Sequence, residues 1–260
     1  MIQRITIDVH QRQGLALSLK ADQSHYLQRV LRLKKGDQFI AQNGRGQQWL
    51  AVLTEQPEQA QILKEVCSSG LVAPLHLISA LPKGNSFDQV VRQSTELGMT
   101  HLYPVFTQRT LLKPSENKLS RWRRIAAEAS EQSERITVPE VFEPMAFQSC
   151  LALLQAHLLP DNKNNLCYLC AARQPDSFHL LSQLQKDMAS VDRASTLSSS
   201  VQLPSVTLAI GPEGGWTTDE ITVAKSYGYK IVSLGSVILR AVTAPITALS
   251  LVTAARELLI

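Results

Sequence analysis

The chain is short of the features that mark an exported or membrane-bound protein. It has four cysteines in 260 residues, Cys67, Cys150, Cys167 and Cys170, too few for a disulfide framework at this length. No stretch approaches the roughly 18 apolar residues that a membrane span needs. The opening MIQRITIDVHQRQG has no apolar core behind a basic start, so no secretory signal is expected there. A cytoplasmic, membrane-free protein fits these absences. GxGxxG and Walker A loops are also missing, so neither a dinucleotide nor a nucleoside triphosphate is specifically indicated. There is no internal repeat. The charge excess is small, +4 with a pI near 8.9, which permits an RNA or other anionic partner without demanding one.

Cys167 and Cys170 form one CxxC, inside the apolar run LCYLCAA. That run reads as a buried strand, on which a separation of three points the two side chains to opposite faces. With no second CxxC, buried free thiols are expected and no metal site.

Hydrophobic residues make up 44%, enough for a real core, and the chain divides by pattern into two parts. Residues 1–72 are short alternating segments with turns between them. ITIDV and LALSL flank Gly14, FIAQ and QQWLAVL flank Asn43-Gly44-Arg45-Gly46, and AQILKEV follows. One helix, about Asp22 to Leu33, interrupts them. This predicts a small β-barrel with an inserted helix. From residue 73 to 260 the pattern is α/β. LHLISAL, HLYPVF, LCYLCAA, SVTLAI and KIVSLG read as strands. Helices are expected after a Ser86/Gln89 capping box, from about Lys118 to Arg135, after a Thr217/Glu220 cap, and from Pro245 to the end. Strands alternating with helices predict a mostly parallel sheet. Ser190 to Pro204 reads as an exposed loop.

Two loops carry the functional signal. SVTLAI runs directly into GPEGG and then a capped helix. Such a Gly-rich turn either binds a ligand or simply turns, but ligands in open α/β sheets sit beyond the carboxyl ends of strands. The second loop, Leu234 to Pro245, follows the next strand and keeps Ile238 and Leu239 where loops are usually polar. Two such loops after consecutive strands point to a ligand cavity with an apolar wall. In the N-terminal helix, His25, Arg29 and Arg32 share a face, opposite Tyr26, Val30 and Leu33 with Leu27 and Leu31. That stripe is either a phosphate-facing surface or a solvated face. On the Lys118–Arg135 helix, Arg124, Glu128, Glu131 and Arg135 lie on one side and Trp122, Ile125, Ala126 and Ala129 on the other. Arg109, Lys113, Arg121 and Arg123 add positive charge nearby.

Taken in order, Arg4, His25 with VLRLKKGD, NGRGQQW, LPKGNSFDQVVRQSTELG, EASEQSER with VP, AIGPEGGW with Glu220, and LGSVILR with TA resemble the RsmE family. These are bacterial 16S rRNA (uracil-N3)-methyltransferases of the knotted SPOUT class. The resemblance covers almost the whole chain. It implies a PUA-like β-barrel at 1–72 and a SPOUT methyltransferase domain with a deep trefoil knot at 73–260, normally as a homodimer. It implies S-adenosylmethionine held by Ile210, Gly211, Glu213, Gly214, Gly215, Leu234, Gly235, Ile238, Leu239, Arg240 and Ala244. It implies 16S rRNA, in the assembled small subunit, contacted by Arg4, His25, Arg29, Arg32 and Arg109. Arg135 is expected to stabilise the developing uracil anion, Glu131 to accept the N3 proton, and Arg240 to engage the base or a phosphate. Val237 stands where the family commonly has Arg, and Val242 where it commonly has Glu. A SPOUT ribose 2′-O-methyltransferase and a non-catalytic RNA-binding ribosome-assembly factor are the alternatives.

Overall fold

A computed structural model describes residues 2–66, 73–84, 86–110, 114, 116–158, 165–175, 177–194 and 203–258. Cys67, Lys113 and residues 195–202 lie outside them. Two compact units are present: one of Met1–Leu71 with Ala127–Val138, the other of Val72–Ala126 with Pro139–Ile260.

The first unit is a six-stranded sheet. Its strands are β1 (Arg4–Thr6), β2 (Arg12–Gln13), β3 (Ala16–Ser18), β4 (Gln38–Gln42), β5 (Gln48–Leu53) and β6 (Gln59–Val66), in the order β1-β4-β5-β6-β3-β2. Only β1 and β4 pair in parallel. The two end strands do not pair with each other, so the sheet is an open half-barrel rather than a closed barrel. Alternation on the strands buries Ile5, Leu17, Phe39, Ala41, Trp49, Ala51 and Ile62 in one cluster. The hairpin turn carries Gly44 and Gly46 at positive φ, 68° and 97°, as its Asn-Gly sequence predicts. The segment after residue 131 is fastened to this unit. Val138 N–H donates to Gly44 O at 2.8 Å, Gly46 N–H donates to Ile136 O at 3.1 Å, and Arg4 pairs with Glu134 at 2.9 Å.

The inserted helix departs from expectation. A short α1 (Ala21–His25) passes into one π-type turn, Tyr26–Val30, closed by Leu31 N–H to Tyr26 O at 2.9 Å. Arg32 lies beyond it with φ 58°. His25 and Arg29 remain exposed on the helical segment, but Arg32 is not on its face. Val30 is 58% exposed rather than packed, because the wider π turn rotates it off the apolar side that Leu27 keeps.

The second unit is a parallel sheet. Its strands are β7 (Leu75–Ala80), β8 (His101–Phe106), β9 (Glu140–Val141), β10 (Met145–Ala146), β11 (Asn165–Cys170), β12 (Phe178–His179), β13 (Ser205–Ile210) and β14 (Lys230–Ser233). Their order is β10-β8-β7-β13-β11-β14-β12, with β9 beside β8. The helices are α2 (Phe87–Glu96), α3 (Glu116–Gln132, which runs on into the first unit), α4 (Phe147–Leu158), α5 (Leu180–Ala194), α6 (Thr218–Ser226) and α7 (Thr243–Glu257). β7 and β13 are buried at every residue, as strands covered on both faces must be. Helix α7 packs on α2, α5 and β13, while α4 packs on β8 and α6. Ile78, Val105, Leu169 and Ala209 meet Phe147, Leu151, Ile221 and Ala224 on the α4–α6 side.

Several expected boundaries move. Helix α3 stops at Gln132, and Glu134 turns the chain at φ 60°, so Arg135 follows the helix instead of extending its face. Ser86 precedes α2, but its hydroxyl donates to Lys83 O at 2.9 Å and does not cap. The expected loop from Ser190 begins as the last turn of α5. Helices α4 and α5 are additional to the expected set. Among the described residues, no helix is long and apolar enough to cross a membrane.

Candidate functional site

Strands β11, β13 and β14 are neighbours and parallel, so their carboxyl ends open on the same edge. A cavity of about 450 Å³ lies there, within the usual range for small-ligand sites. Three loops line it: Cys170–Gln174 after β11, Ile210–Trp216 after β13, and Leu234–Ala244 after β14, with Arg109 and Ile221. Val237 and Ile238 are 68% and 61% exposed at its rim, leaving apolar surface for a flat, partly apolar ligand.

The GPEGG loop is braced from several sides. The Trp216 indole N–H donates to Cys170 O at 3.0 Å, tying the β13 loop to the end of β11. Its ring rests 4.5 Å from that of Phe147. Gly211 is needed because a Cβ there would lie 3.1 Å from that ring. Gly214 leaves room for Arg109, whose guanidinium donates to Gly214 O at 2.6 Å. Glu213 accepts from Lys83 N–H at 3.0 Å. Glu220 closes the capping box with Thr217 through one oxygen and accepts Gln108 N–H at 2.8 Å through the other. Gly215 and Gly235 have φ of 70° and 128°, conformations that a side chain would strain. The cradle is preorganised, and much of what it presents is backbone.

Of the residues expected to hold a cofactor, Ile210, Gly211, Glu213, Gly214, Gly215, Leu234, Gly235, Ile238, Leu239 and Ala244 all line this cavity. Arg240 is exposed on the same loop but outside the lining; its carbonyl accepts Thr243 and Ala244 N–H at 2.9 Å each. Val237 is at the rim, whereas Val242 is half-buried before α7 and does not line the cavity. Arg109, expected at the RNA, is at the cavity wall. Sequence reasoning missed the β11 loop, Cys170 to Gln174, and also Trp216. The strand-end rule that finds the other two loops applies equally to the strand LCYLCAA, but the residues after it carry no glycine to mark a loop.

Glu131 and Arg135 belong to the first unit and are not among the lining residues. Glu131 accepts Thr6 N–H at 2.5 Å. Burial raises its carboxyl above the ordinary value, and the Thr6 bond opposes that rise. Burial pulls the Arg135 guanidinium down to about 10, which leaves it charged at neutral pH. Arg4, expected at the RNA, pairs with Glu134.

Among the described residues the cysteines are free: Cys150 and Cys170 are buried, and Cys167 is half-buried. Burial pushes Cys150 and Cys170 up to about 12, and Cys167 to about 11. Among the described residues, no group of three His, Cys, Asp or Glu side chains could hold a metal ion. Arg256, also missed, is a buried clamp. Its guanidinium donates to Ala73 O, Pro74 O and Pro204 O at 2.7–3.1 Å, joining the entries to β7 and β13.

Comparison with known proteins bears directly on this arrangement. Residues 70–253 match a family model described as an RNA methyltransferase domain, and residues 19–65 one described as an RNA methyltransferase PUA domain. The chain is 41% identical over 259 residues to the ribosomal RNA small subunit methyltransferase E of Synechocystis, covering 99% of this chain and 79% of that protein. It is similar to the crystal structure of a ribosomal RNA small subunit methyltransferase E from Neisseria gonorrhoeae bound to S-adenosyl methionine. The TM-score is 0.77 at 25% identity, over 100% and 98% of the two chains. A Legionella pneumophila structure, described as a methyltransferase with the bound cofactor SAM, gives a TM-score of 0.77 at 27% identity over 98% of each chain.

Proposed function

This chain belongs to the ribosomal RNA small subunit methyltransferase E family, and we propose that it methylates N3 of one uridine of 16S rRNA within the assembled small subunit. The observation that carries the reading is the braced cavity at the ends of β11, β13 and β14. Its residues fit S-adenosylmethionine. Ile210, Leu234, Ile238, Leu239 and Ala244 offer an apolar wall for an adenine ring, while the Gly211–Gly215 backbone offers polar groups at close approach. Bound there, S-adenosylmethionine supplies an electrophilic methyl group.

The remaining work falls to the chain. A uridine whose N3 is normally paired must be unstacked or single-stranded to react. Its N3 proton must leave before or during transfer. Arg135 stabilises the negative charge that develops on a uracil carbonyl oxygen. Glu131, whose carboxyl is raised by burial, accepts the proton. Arg240 engages the base or a flanking phosphate. Arg4, His25, Arg29 and Arg32 supply cations to the RNA, as does Arg109 from the cavity wall.

A SPOUT-type knot is part of the same reading. It is supported by the crossing of the chain from β13 through α6 to β14, on the far side of β11, before α7 returns to pack on β13. We read the working form as a cytoplasmic homodimer.

The test is methylation of purified small subunits and of naked 16S rRNA, with digestion and identification of the product nucleoside. 3-Methyluridine, formed on subunits more readily than on naked RNA, is expected. A 2′-O-methylated nucleoside would replace this reading with ribose methylation. No product, with no cofactor binding by calorimetry, would leave a non-catalytic RNA-binding factor.

A further inference from the structure

The first unit has a groove of its own, of about 290 Å³, lined by Ile7, Asp8, Val9, Arg12, Gly14, Asn43, Gln47 and Trp49. We propose that this groove holds one unpaired nucleotide of the RNA substrate, with its base stacked on the Arg12 guanidinium and its edge read by the Asn43 and Gln47 amides. The proposal rests on the RNA-methyltransferase reading above and specifies a contact distant in sequence from the cofactor loops.

Arg12 carries the argument. Its guanidinium lies over the Trp49 ring, 4.5 Å from the centroid. Trp49 is 4% exposed, so the ring is a fixed floor beneath the guanidinium. Arg12 uses only its Nε–H, donated to Gly14 O at 3.1 Å. Its two terminal nitrogens have no partner among the described residues, although an arginine offers five donors. A planar cation that lies over an aromatic ring and is itself exposed to solvent is what an unstacked base can take as a platform. The unused terminal donors can reach base-edge or phosphate oxygens.

The surrounding residues suit that ligand. Asp8 would repel a phosphate, but Lys20 pairs with it at 2.5 Å, so the groove's net charge is set by Arg12. Gln47 and Asn43 bond to each other at 2.8 Å on the hairpin. Asn43 Oδ1 also accepts the Arg45 and Gln47 backbone N–H at 2.8 and 3.1 Å, so what remains among the described residues for a base edge is the Gln47 Nε2 donors, one Asn43 Nδ2 hydrogen and the second lone pair of Gln47 Oε1. Val9 is 67% exposed and Leu15, beside Gly14, is 61% exposed, giving apolar edges against which a base or ribose can rest. A peptide would need a longer apolar or hydrogen-bonding track than this groove offers.

Three full-length proteins test it: wild type, Arg12→Ala and Arg12→Lys. Arg12 packs on the surface of the ring, so both variants should fold, as a circular dichroism melt would verify. Binding of a single-stranded rRNA fragment is read by fluorescence anisotropy over a salt series, alongside steady-state methylation of subunits. Base stacking of this kind is worth about tenfold in affinity. Arg12→Ala should weaken RNA binding about tenfold and raise the RNA KM by a similar factor, with kcat and S-adenosylmethionine affinity unchanged. Arg12→Lys keeps the charge but not the plane, so it should keep the wild-type salt slope without recovering the affinity. In addition, 4-thiouridine-substituted RNA, irradiated with wild-type protein, should crosslink to peptides containing residues 7–14 or 43–49.

Full recovery by lysine would show a simple charge contact and overturn the stacking site. Unchanged RNA binding in Arg12→Ala, or crosslinks confined to other peptides, would overturn the groove altogether. Methylation of wild-type protein, measured in the same samples, tells failure of the groove from failure of the functional reading.

Discussion

Replacing Gly211 with alanine probes whether the GPEGG loop depends on Trp216. The added Cβ would lie 3.1 Å from two indole atoms and 3.3 Å from a third, whereas carbon contacts settle at about 3.5–4.0 Å. Gly211 does not have a left-handed φ, so the backbone adds no strain and the whole cost falls on the ring. The ring cannot retreat freely, because its N–H is held by Cys170 O and its face by Phe147. Overpacking of a fixed core costs about 1–3 kcal/mol, and a stretched hydrogen bond up to about 1 kcal/mol more. A net loss of ~2 kcal/mol corresponds to a Tm lower by roughly 4–8 °C at this chain length. Thermal melts and urea titrations measure it, and calorimetry with S-adenosylmethionine should show weaker binding, since Gly211 and Trp216 both line the cavity. The decisive comparison is a double-mutant cycle with Trp216→Leu, which removes the ring. There Gly211→Ala should cost little, giving a coupling energy above ~1 kcal/mol. Additivity within ~0.5 kcal/mol would refute the reasoning.

Three further outcomes follow from the same structure. Arg135→Ala should lower kcat by roughly 10²–10³, as loss of one charge-stabilising donor does, while the S-adenosylmethionine Kd stays within twofold; unchanged turnover would remove Arg135 from catalysis. His76 is 2% exposed, and burial lowers its imidazole to about 3 from an ordinary 6.5, with a further push from stacked His101. The folded state therefore requires it neutral, and stability is lost as pH falls below 6.5, by up to ~2 kcal/mol at pH 5. Urea midpoints at pH 7 and pH 5 should differ less in His76→Phe, and an identical pH dependence would show that His76 is not the source. Cys150, Cys167 and Cys170, with thiols pushed up to about 11–12, should resist iodoacetamide at pH 8 until the protein is unfolded; peptide mapping of rapid native alkylation at any of them would contradict the burial argument.

The two glycine-bearing loops that line the cavity were legible in the sequence because their signals are local. An apolar strand, a glycine cluster and a helix cap within a dozen residues place a loop at a strand end, and ten of the eleven expected cofactor residues line one cavity. The third loop, Cys170 to Gln174, was hidden because it lacks such punctuation: Arg173 supplies the positive φ of 57° that a glycine would have advertised. Helix α5 had a readable stripe in Leu180, Leu184 and Met188, all buried, although it lies next to a polar stretch that reads as loop. Helix α4 buries Phe147, Cys150, Leu151 and Leu154 at helical spacing, but Ala152, Leu153 and Ala156 on its other side blur that stripe in the sequence. The π turn at Tyr26–Val30 could not be anticipated from spacing, since an α pattern and a π turn differ by one residue in the same apolar stretch. Long-range pairings such as Glu131 with Thr6 leave no sequence signal.

That last pairing has a consequence for biosynthesis. The first unit draws on residues 127–138, which carry Glu131 to Thr6, Glu134 to Arg4, and the 136–138 backbone to the hairpin. These contacts span about 90 to 130 positions, so the unit is discontinuous in the gene. A ribosome adding about 5–20 residues per second must make β7, α2, β8 and α3 before the first unit can be completed. The amino-terminal half-barrel then waits, with Thr6 N–H and the hairpin's Gly44 carbonyl facing water, while its missing stretch is translated. A fragment ending near residue 72 reproduces that waiting state. It should refold more slowly and exchange its β1 and hairpin amides faster than the same residues in the whole chain.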